Sequence, residues 1–336
     1  MRRRNFMQMA AAGFALASAA KAQTAAQVEM ESVVIEVPGA RNLQFLTLWV
    51  ALGAGYFHRE GLAPRVAVAS GPRLTGQALF KGEAQIALLP PPMFLGMIAE
   101  EKPIVLFASL LANEPINLVV KREIAEARGL LWEQDLGKRL QAIKGLRVGL
   151  AEEVSPRLRV MAKSAKQDAG KLFRFVTVPG PDQIEAFASG RVDALFAHTP
   201  YLETVLVEHN AVLVAGNSKG EIAELADGQI HALATTRTIM QEKPDLIRGV
   251  TRAIAGAQQL IHSDIQETAD AIIASGAGST TDRRKIETLV SVYAPAVPQS
   301  PRISVDGIKR DVSLYPAHPR APDFSRVDVM DFVSQL

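Results

Sequence analysis

The sequence predicts an α/β chain in two similar halves, each a doubly wound sheet layered with helices. Three observations carry this. Short β-branched runs alternate with helical patterns along most of the chain, the mark of βαβ construction. The first of them, residues 31–69, is a complete strand–helix–strand unit. The 314 residues after position 22 can bury ample core and predict about two domains.

Glu31–Val37 (ESVVIEV) is β-branched and alternating, so it reads as a strand. Residues 38–42 turn the chain. Leu43, Leu46, Trp49, Val50 and Gly53 then recur at helical spacing behind Asn42, a good N-cap, and Gly61 suits a left-handed C-cap. Residues 65–69 form the next strand. The turn after the first strand thus lies at the carboxyl edge of a parallel sheet, where open α/β sheets bind ligands. Pro72–Phe80 reads as a helix, 84–88 as a third strand and 104–110 as a fourth. Between the last two, Pro90, Pro91 and Pro92 stand at a helix start.

Residues 116–121 are extended and apolar. Residues 123–143 are charged and helical, with Leu130, Leu131, Leu140 and Ile143 on one side. A second βα series follows. Its strands are 146–150, 173–178, 193–197 and 211–215. One helix opens at Ser155-Pro156 and runs to Gly170; others cover 182–188 and Tyr201–Glu208. Residues 229–235 are extended again, followed by helices at 245–262, 264–274 and 281–293. Prolines cluster from Pro295 onward, leaving one short helix at Val305–Leu314.

The first 22 residues read as a removable export leader. Arg3-Arg4-Asn5-Phe6-Met7 fits the twin-arginine pattern, residues 9–20 are modestly apolar, and Ala20-Lys21-Ala22 is an A-x-A cleavage site. The apolar run is shorter than the roughly 20 residues of a membrane span. With no cysteine there is no lipobox, so a soluble periplasmic protein is expected. Zero cysteines also exclude disulfides, thiolate metal sites and thiol nucleophiles. Without Arg2, Arg3, Arg4 and Lys21 the 37 bases fall to 33 against 35 acids, a net charge of −2. That is no footprint for nucleic acid.

Four stretches carry a family resemblance. Gly55-Tyr56-Phe57-His58-Arg59-Glu60-Gly61-Leu62 follows an apolar helix and precedes a strand. Gly82-Glu83-Ala84-Gln85-Ile86-Ala87, Ile143-Lys144-Gly145-Leu146-Arg147-Val148-Gly149 and Phe187-Ala188-Ser189-Gly190-Arg191-Val192-Asp193-Ala194 follow in order. Together they resemble the nitrate/sulfonate/taurine-type solute-binding proteins of ABC importers. The resemblance implies a bilobal, type II periplasmic-binding-protein-like fold: two doubly wound α/β lobes joined by a two-segment hinge. It implies a discontinuous first lobe, 31–115 plus 236–336, and a second lobe at 116–235. The helical segment 123–143 is longer than the connector usual in that family.

Enzyme motifs are weak. Gly216-Asn217-Ser218-Lys219-Gly220 matches G-x-S-x-G, but no glycine-rich oxyanion loop exists and His231 follows too soon, so a surface loop is expected. The six histidines show no H-x-H or H-E-x-x-H spacing, so no metal site is expected. Gly276 to Thr280 lacks the lysine of a phosphate loop and reads as a C-cap and turn. No cofactor is expected.

What remains is ligand binding between the lobes, where small-molecule sites concentrate. The candidates are the residues leaving each strand. In the first lobe these are Ala40, Arg41 and Asn42, then Pro91, Pro92 and Met93, then Leu110 and Asn113. In the second they are Glu152, Glu153 and Ser155, then Pro181, then His198, Thr199 and Tyr201. Arg41 could clamp a carboxylate or sulfonate, or be a solvated turn residue; His198 could touch ligand or only support its turn. The Pro90–Met93 stretch supplies no side-chain donor and little backbone N–H, so that wall should be apolar. An organic solute with an apolar or aromatic body and one polar or anionic end is expected.

The resemblance thus implies a monomeric periplasmic receptor delivering a small molecule to an ABC permease and its ATPase. The alternatives are an enzyme on the same scaffold, akin to pyrimidine-precursor synthases, or a ligand-sensing subunit of a membrane signalling system. Those synthases carry a cysteine-rich motif that this chain lacks.

Overall fold

The computed structural model describes residues 30–39, 42–151, 155–277, 280–314, 324 and 327–334. The leader, Ala40, Arg41, Glu152 and Glu153 lie outside them.

Ten strands form two five-stranded sheets. They are β1 (Glu31–Val37), β2 (Leu62–Val68), β3 (Ile86–Leu89), β4 (Ile104–Leu111), β5 (Asn117–Val120), β6 (Arg147–Leu150), β7 (Arg174–Thr177), β8 (Ala194–Ala197), β9 (Val212–Ala215) and β10 (His231–Thr236). One sheet has the order β2-β1-β3-β10-β4, the other β7-β6-β8-β5-β9. The two orders are the same pattern, with β10 and β5 in equivalent places.

Both sheets are mixed, where parallel sheets were expected. β1 pairs in parallel with β2 and β3, and β6 with β7 and β8. β10 and β5 run antiparallel to both their neighbours. The reason is topological. Each of these strands arrives from the other half, entering at the carboxyl edge and running back against the parallel strands. Pro64 is tolerated in β2 because β2 is an edge strand, where a lost donor faces outward.

Helices α1 (Leu46–Gly53), α2 (Tyr56–Arg59), α3 (Pro72–Phe80) and α4 (Pro91–Ala99) belong to the first series. The second holds α5 (Arg122–Ala127), α6 (Leu136–Ala142), α7 (Ser155–Ser164), α8 (Ala169–Leu172), α9 (Gln183–Ala188) and α10 (Tyr201–Glu208). After β10 come α11 (Arg237–Glu242), α12 (Pro244–Ser263), α13 (Ile265–Ser275), α14 (Arg283–Tyr293) and α15 (Val305–Leu314).

Two long helices of the sequence reading are broken. The segment 123–143 splits into α5 and α6 around Gly129, whose φ of 67° ends the first piece. Asp135 starts the second by accepting the Lys138 amide at 2.7 Å. The helix from Ser155 stops at Ser164, and Asp168 caps a separate α8.

The halves do not pack independently. α14 lies against α13 of the first half and α10 of the second, and Lys285 on α14 pairs with Glu208 at the end of α10. One buried apolar cluster runs from Val33 and Trp49 through Leu289 and Val290 to Leu202 and Val205.

The outer edge of β4 is covered by irregular chain. Ser109 donates its amide to the Pro301 carbonyl, Ala112 to Ala296, and Ser334 to Leu106, at 2.7, 2.7 and 2.8 Å.

Candidate ligand cleft

The turn after β1 is built around Asn42. Its Oδ1 accepts the Gln44 amide at 2.9 Å, and its carbonyl accepts the Trp49 indole N–H at 2.7 Å. These bonds fix a 3₁₀ turn, Leu43–Phe45, that feeds α1. They also aim the Gln44 side chain at His231, the first residue of β10, whose Nε2 lies 3.1 Å from Gln44 Oε1. The His231 ring stands edge-on to Phe45, with centroids 5.2 Å apart.

His231 is only 5% exposed, and its Nδ1 has no partner. Burial, helped by the charge of His198, pushes its pKa down to about 3, so the ring is neutral. His198 leaves β8 in the other half. It is thus near enough to act on His231, and its Nδ1 lies 2.5 Å from the Thr199 carbonyl. The His198 and Tyr201 rings are 6.0 Å apart. The Tyr201 hydroxyl fills the space beside Gly180, where a Cβ would come within 2.5 Å of it. Burial raises the Tyr201 pKa. Gln44 and His231 of one half thus lie near His198 of the other, with Tyr201 and Gly180 beside it.

The other candidates fall into place as follows. Thr199 is buried and structural. Its hydroxyl donates to Glu203 Oε1 at 2.8 Å and its amide to the Tyr293 hydroxyl at 3.1 Å. Burial pushes Glu203 up to about 7 against those stabilising bonds and the pull of Lys285. Pro181 is exposed next to Gly180, and Ser155 opens α7. At the start of α4, Pro91 is buried, Pro92 exposed and Met93 half-buried. The Met93 and Phe94 amides both go to the Pro90 carbonyl, at 3.0 and 3.2 Å. That helix start therefore presents no free N–H to an anion.

Two candidates sit elsewhere. Leu110 lies inside β4, fully buried, because the strand runs one residue longer than its pattern indicates. Asn113 is a cross-tie. Its Nδ2 donates to the Ser218 and Pro295 carbonyls at 3.1 and 3.2 Å, and its Oδ1 accepts the Asp227 amide at 2.9 Å. It borders a cavity of about 580 Å³ with His262 and Pro295, not the cleft beside His198.

The G-x-S-x-G segment is not a surface loop. Asn217 and Ser218 are fully buried at the crossings. Asn217 Nδ2 donates to the Ile116 carbonyl at 2.6 Å, and the Ser218 amide and hydroxyl both donate to Asn117 Oδ1, at 3.1 and 3.0 Å. An amide oxygen is no base, so this hydroxyl is not activated. Nearby, Arg157 on α7 meets Glu114 at 2.6 Å, both almost fully buried. Asp311 on α15 accepts the Gln229 amide at 2.7 Å, and burial pushes it up to about 7. Among the described residues no three His, Asp or Glu groups could hold a metal ion. No described helix is long and apolar enough to cross a membrane.

Gln44 and His231 were not singled out from sequence. Gln44 lies in the very turn that organises the first half, but 187 residues separate it from His231.

Solved structures share this architecture. The alkanesulfonate-binding protein SsuA from Xanthomonas axonopodis pv. citri, bound to MOPS, aligns at TM-score 0.58 and 16% identity over 91% of this chain and 99% of its own. The periplasmic aliphatic sulphonate-binding protein SsuA from Escherichia coli gives 0.63 and 13% over 91% and 98%. An ABC transporter from Parabacteroides distasonis gives 0.61 and 14% over 89% and 99%. At these identities the likeness shows the fold, that of bilobal periplasmic binding proteins. No curated protein sequence matches the chain. A family model described as NMT1/THI5 like matches residues 42–268. That span is more than half of the sequence, so the chain belongs to the NMT1/THI5-like family.

Proposed function

We propose that the protein is the solute-binding receptor of an ABC importer, holding a small organic molecule between its lobes and delivering it to a permease. The observation that carries this is the convergence of Gln44 and His231 with His198 and Tyr201. The first pair belongs to one sheet and the second to the other, and the two histidines lie close enough for one to feel the charge of the other. Such a gap is suited to closure, and ligand favours the closed form by its differential affinity for it. The similar folds of two sulfonate-binding proteins support a solute with an oxyanion or carboxyl end. Phe45, Tyr201 and the Pro91–Met93 wall suit an apolar or aromatic body.

On this reading 31–115 with 236–336 makes one lobe and 116–235 the other. Arg41 and Glu153, which follow β1 and β6 in the sequence, also serve ligand binding on this reading. Arg3 and Arg4 send the protein through the twin-arginine route to the periplasm, where it acts as a monomer. A thermal-shift screen of sulfonates, carboxylates and aromatic acids tests the reading, since a ligand that binds the native state raises its melting temperature. Small-angle scattering with the best ligand should then show compaction. A tight ligand that leaves the radius of gyration unchanged overturns the receptor function.

A further inference from the structure

We propose that Gln44 is a ligand-binding side chain whose amide NH2 is held toward the cleft by His231, so that the site selects solutes offering an oxygen acceptor. The inference rests on the receptor reading above and names the chemistry its cleft takes.

The geometry runs from the buried end outward. His231 is 5% exposed and reaches Gln44 Oε1 through Nε2 at 3.1 Å. One of its two nitrogens carries the proton. If Nε2 carries it, Gln44 Oε1 accepts and the partnerless Nδ1 keeps a bare lone pair. In the opposite tautomer an N–H at Nδ1 would be buried with no acceptor, and orphaned buried donors are rarer than under-satisfied acceptors. The Nε2–H form is therefore favoured, and it dictates the amide's orientation: oxygen to His231, nitrogen away. Gln44 itself is half-buried, and its NH2 has no protein partner and is not among the sealed-off polar atoms. Two N–H donors thus face the open side. Because the ring stays neutral, this orientation persists at every physiological pH. The turn around Asn42 holds the Gln44 backbone, so the donors are presented by a fixed frame.

The test uses the mature protein carrying Trp132→Phe, which removes the exposed tryptophan and leaves Trp49, beside this turn, as the fluorescent reporter. The probe is the tightest binder from a panel of linear alkanesulfonates and benzenecarboxylates. Gln44→Met should weaken it at least tenfold. His231→Leu, which frees the amide to turn, should weaken it similarly, whereas His231→Gln keeps a donor toward Gln44 Oε1 and should restore most of the affinity. Gln44→Glu should abolish binding of the anions. Circular dichroism confirms that each variant folds. Should the parent bind a probe and close, yet Gln44→Met and His231→Leu bind it equally well, this inference falls and the receptor function stands. If the folded parent binds nothing in the panel, both fall.

Discussion

The hydroxyl of Tyr293 lies 3.1 Å from the amide nitrogen of Thr199, joining α14 to the turn that carries His198. The same hydroxyl donates to the Pro115 carbonyl at 2.9 Å, at the first crossing. Tyr293 is wholly buried, and burial holds its pKa well above the usual phenol value. One phenol therefore ties together a crossing, a helix that packs on both halves and the turn that carries His198.

Tyr293→Phe leaves the Thr199 amide short of a buried partner, while the Pro115 carbonyl keeps its bond from Asn117 Nδ2. The expected loss is about 1–3 kcal/mol in urea unfolding. Ligand affinity should fall with it, because the turn holding His198 and Tyr201 loses its anchor. An unchanged unfolding midpoint would show that water replaces the hydroxyl.

Glu203 makes stability depend on pH. Its folded pKa, about 7, exceeds the ordinary 4.5. The unfolded chain therefore ionises first, and the stability present below about pH 4.5 is lost as pH rises to about 7. Glu203→Gln should match the parent near pH 4 and exceed it at pH 8 by on the order of 1–3 kcal/mol. Asp311, also held near 7, contributes in the same direction, so the comparison is of variant against parent at each pH. Equal differences at both pH values would contradict it.

Glu114→Ala removes the 2.6 Å partner of Arg157. Taking this carboxylate from a buried guanidinium is destabilising, and a loss of about 3 kcal/mol is expected. Added salt should change the parent's midpoint little through this pair, because buried charges are weakly screened.

Gly180→Ala separates folding from binding. The atoms that a new methyl would meet first all belong to the outer end of the Tyr201 side chain, which must shift to make room. Stability should change by less than about 1.5 kcal/mol. Ligand affinity should shift measurably by calorimetry, since the hydroxyl end of Tyr201 is displaced. Unaltered affinity would place Tyr201 outside the binding site.

Arg3→Lys together with Arg4→Lys should stop export, with the uncleaved protein retained in the cytoplasm on cell fractionation. Normal periplasmic recovery would assign the leader to another route.

Much of the fold is legible in the sequence where the local pattern suffices. Glu31–Val37, Tyr201–Glu208 and Val305–Leu314 have the bounds their periodicity predicts. Around 128–135 the apolar spacing continues while the helix does not, since a single left-handed residue, Gly129, breaks it without disturbing the pattern. Strand direction was not legible for β5 and β10, because it depends on where the chain enters each sheet. Gly216-Asn217-Ser218 reads as a surface loop once the partners of a nucleophile elbow are missing. Its Asn217 amide NH2 and both Ser218 donors are instead bonded to Ile116 and Asn117, far away in sequence, while Asn217 Oδ1 is buried without a partner. Of the candidate site, the strand exits point to His198 and Tyr201 from sequence, but the pairing of Gln44 with His231 exists only once β10 has returned.

The covering of β4 bears on solubility as well as on architecture. A bare sheet margin is a template onto which another chain can add a strand. Here the Leu106, Ser109 and Ala112 positions are already taken by Ser334, Pro301 and Ala296. Trimming the chain before residue 327 would strip part of that guard, and the shortened protein should self-associate edge to edge, with β10 and its His231 only one strand in from the exposed margin.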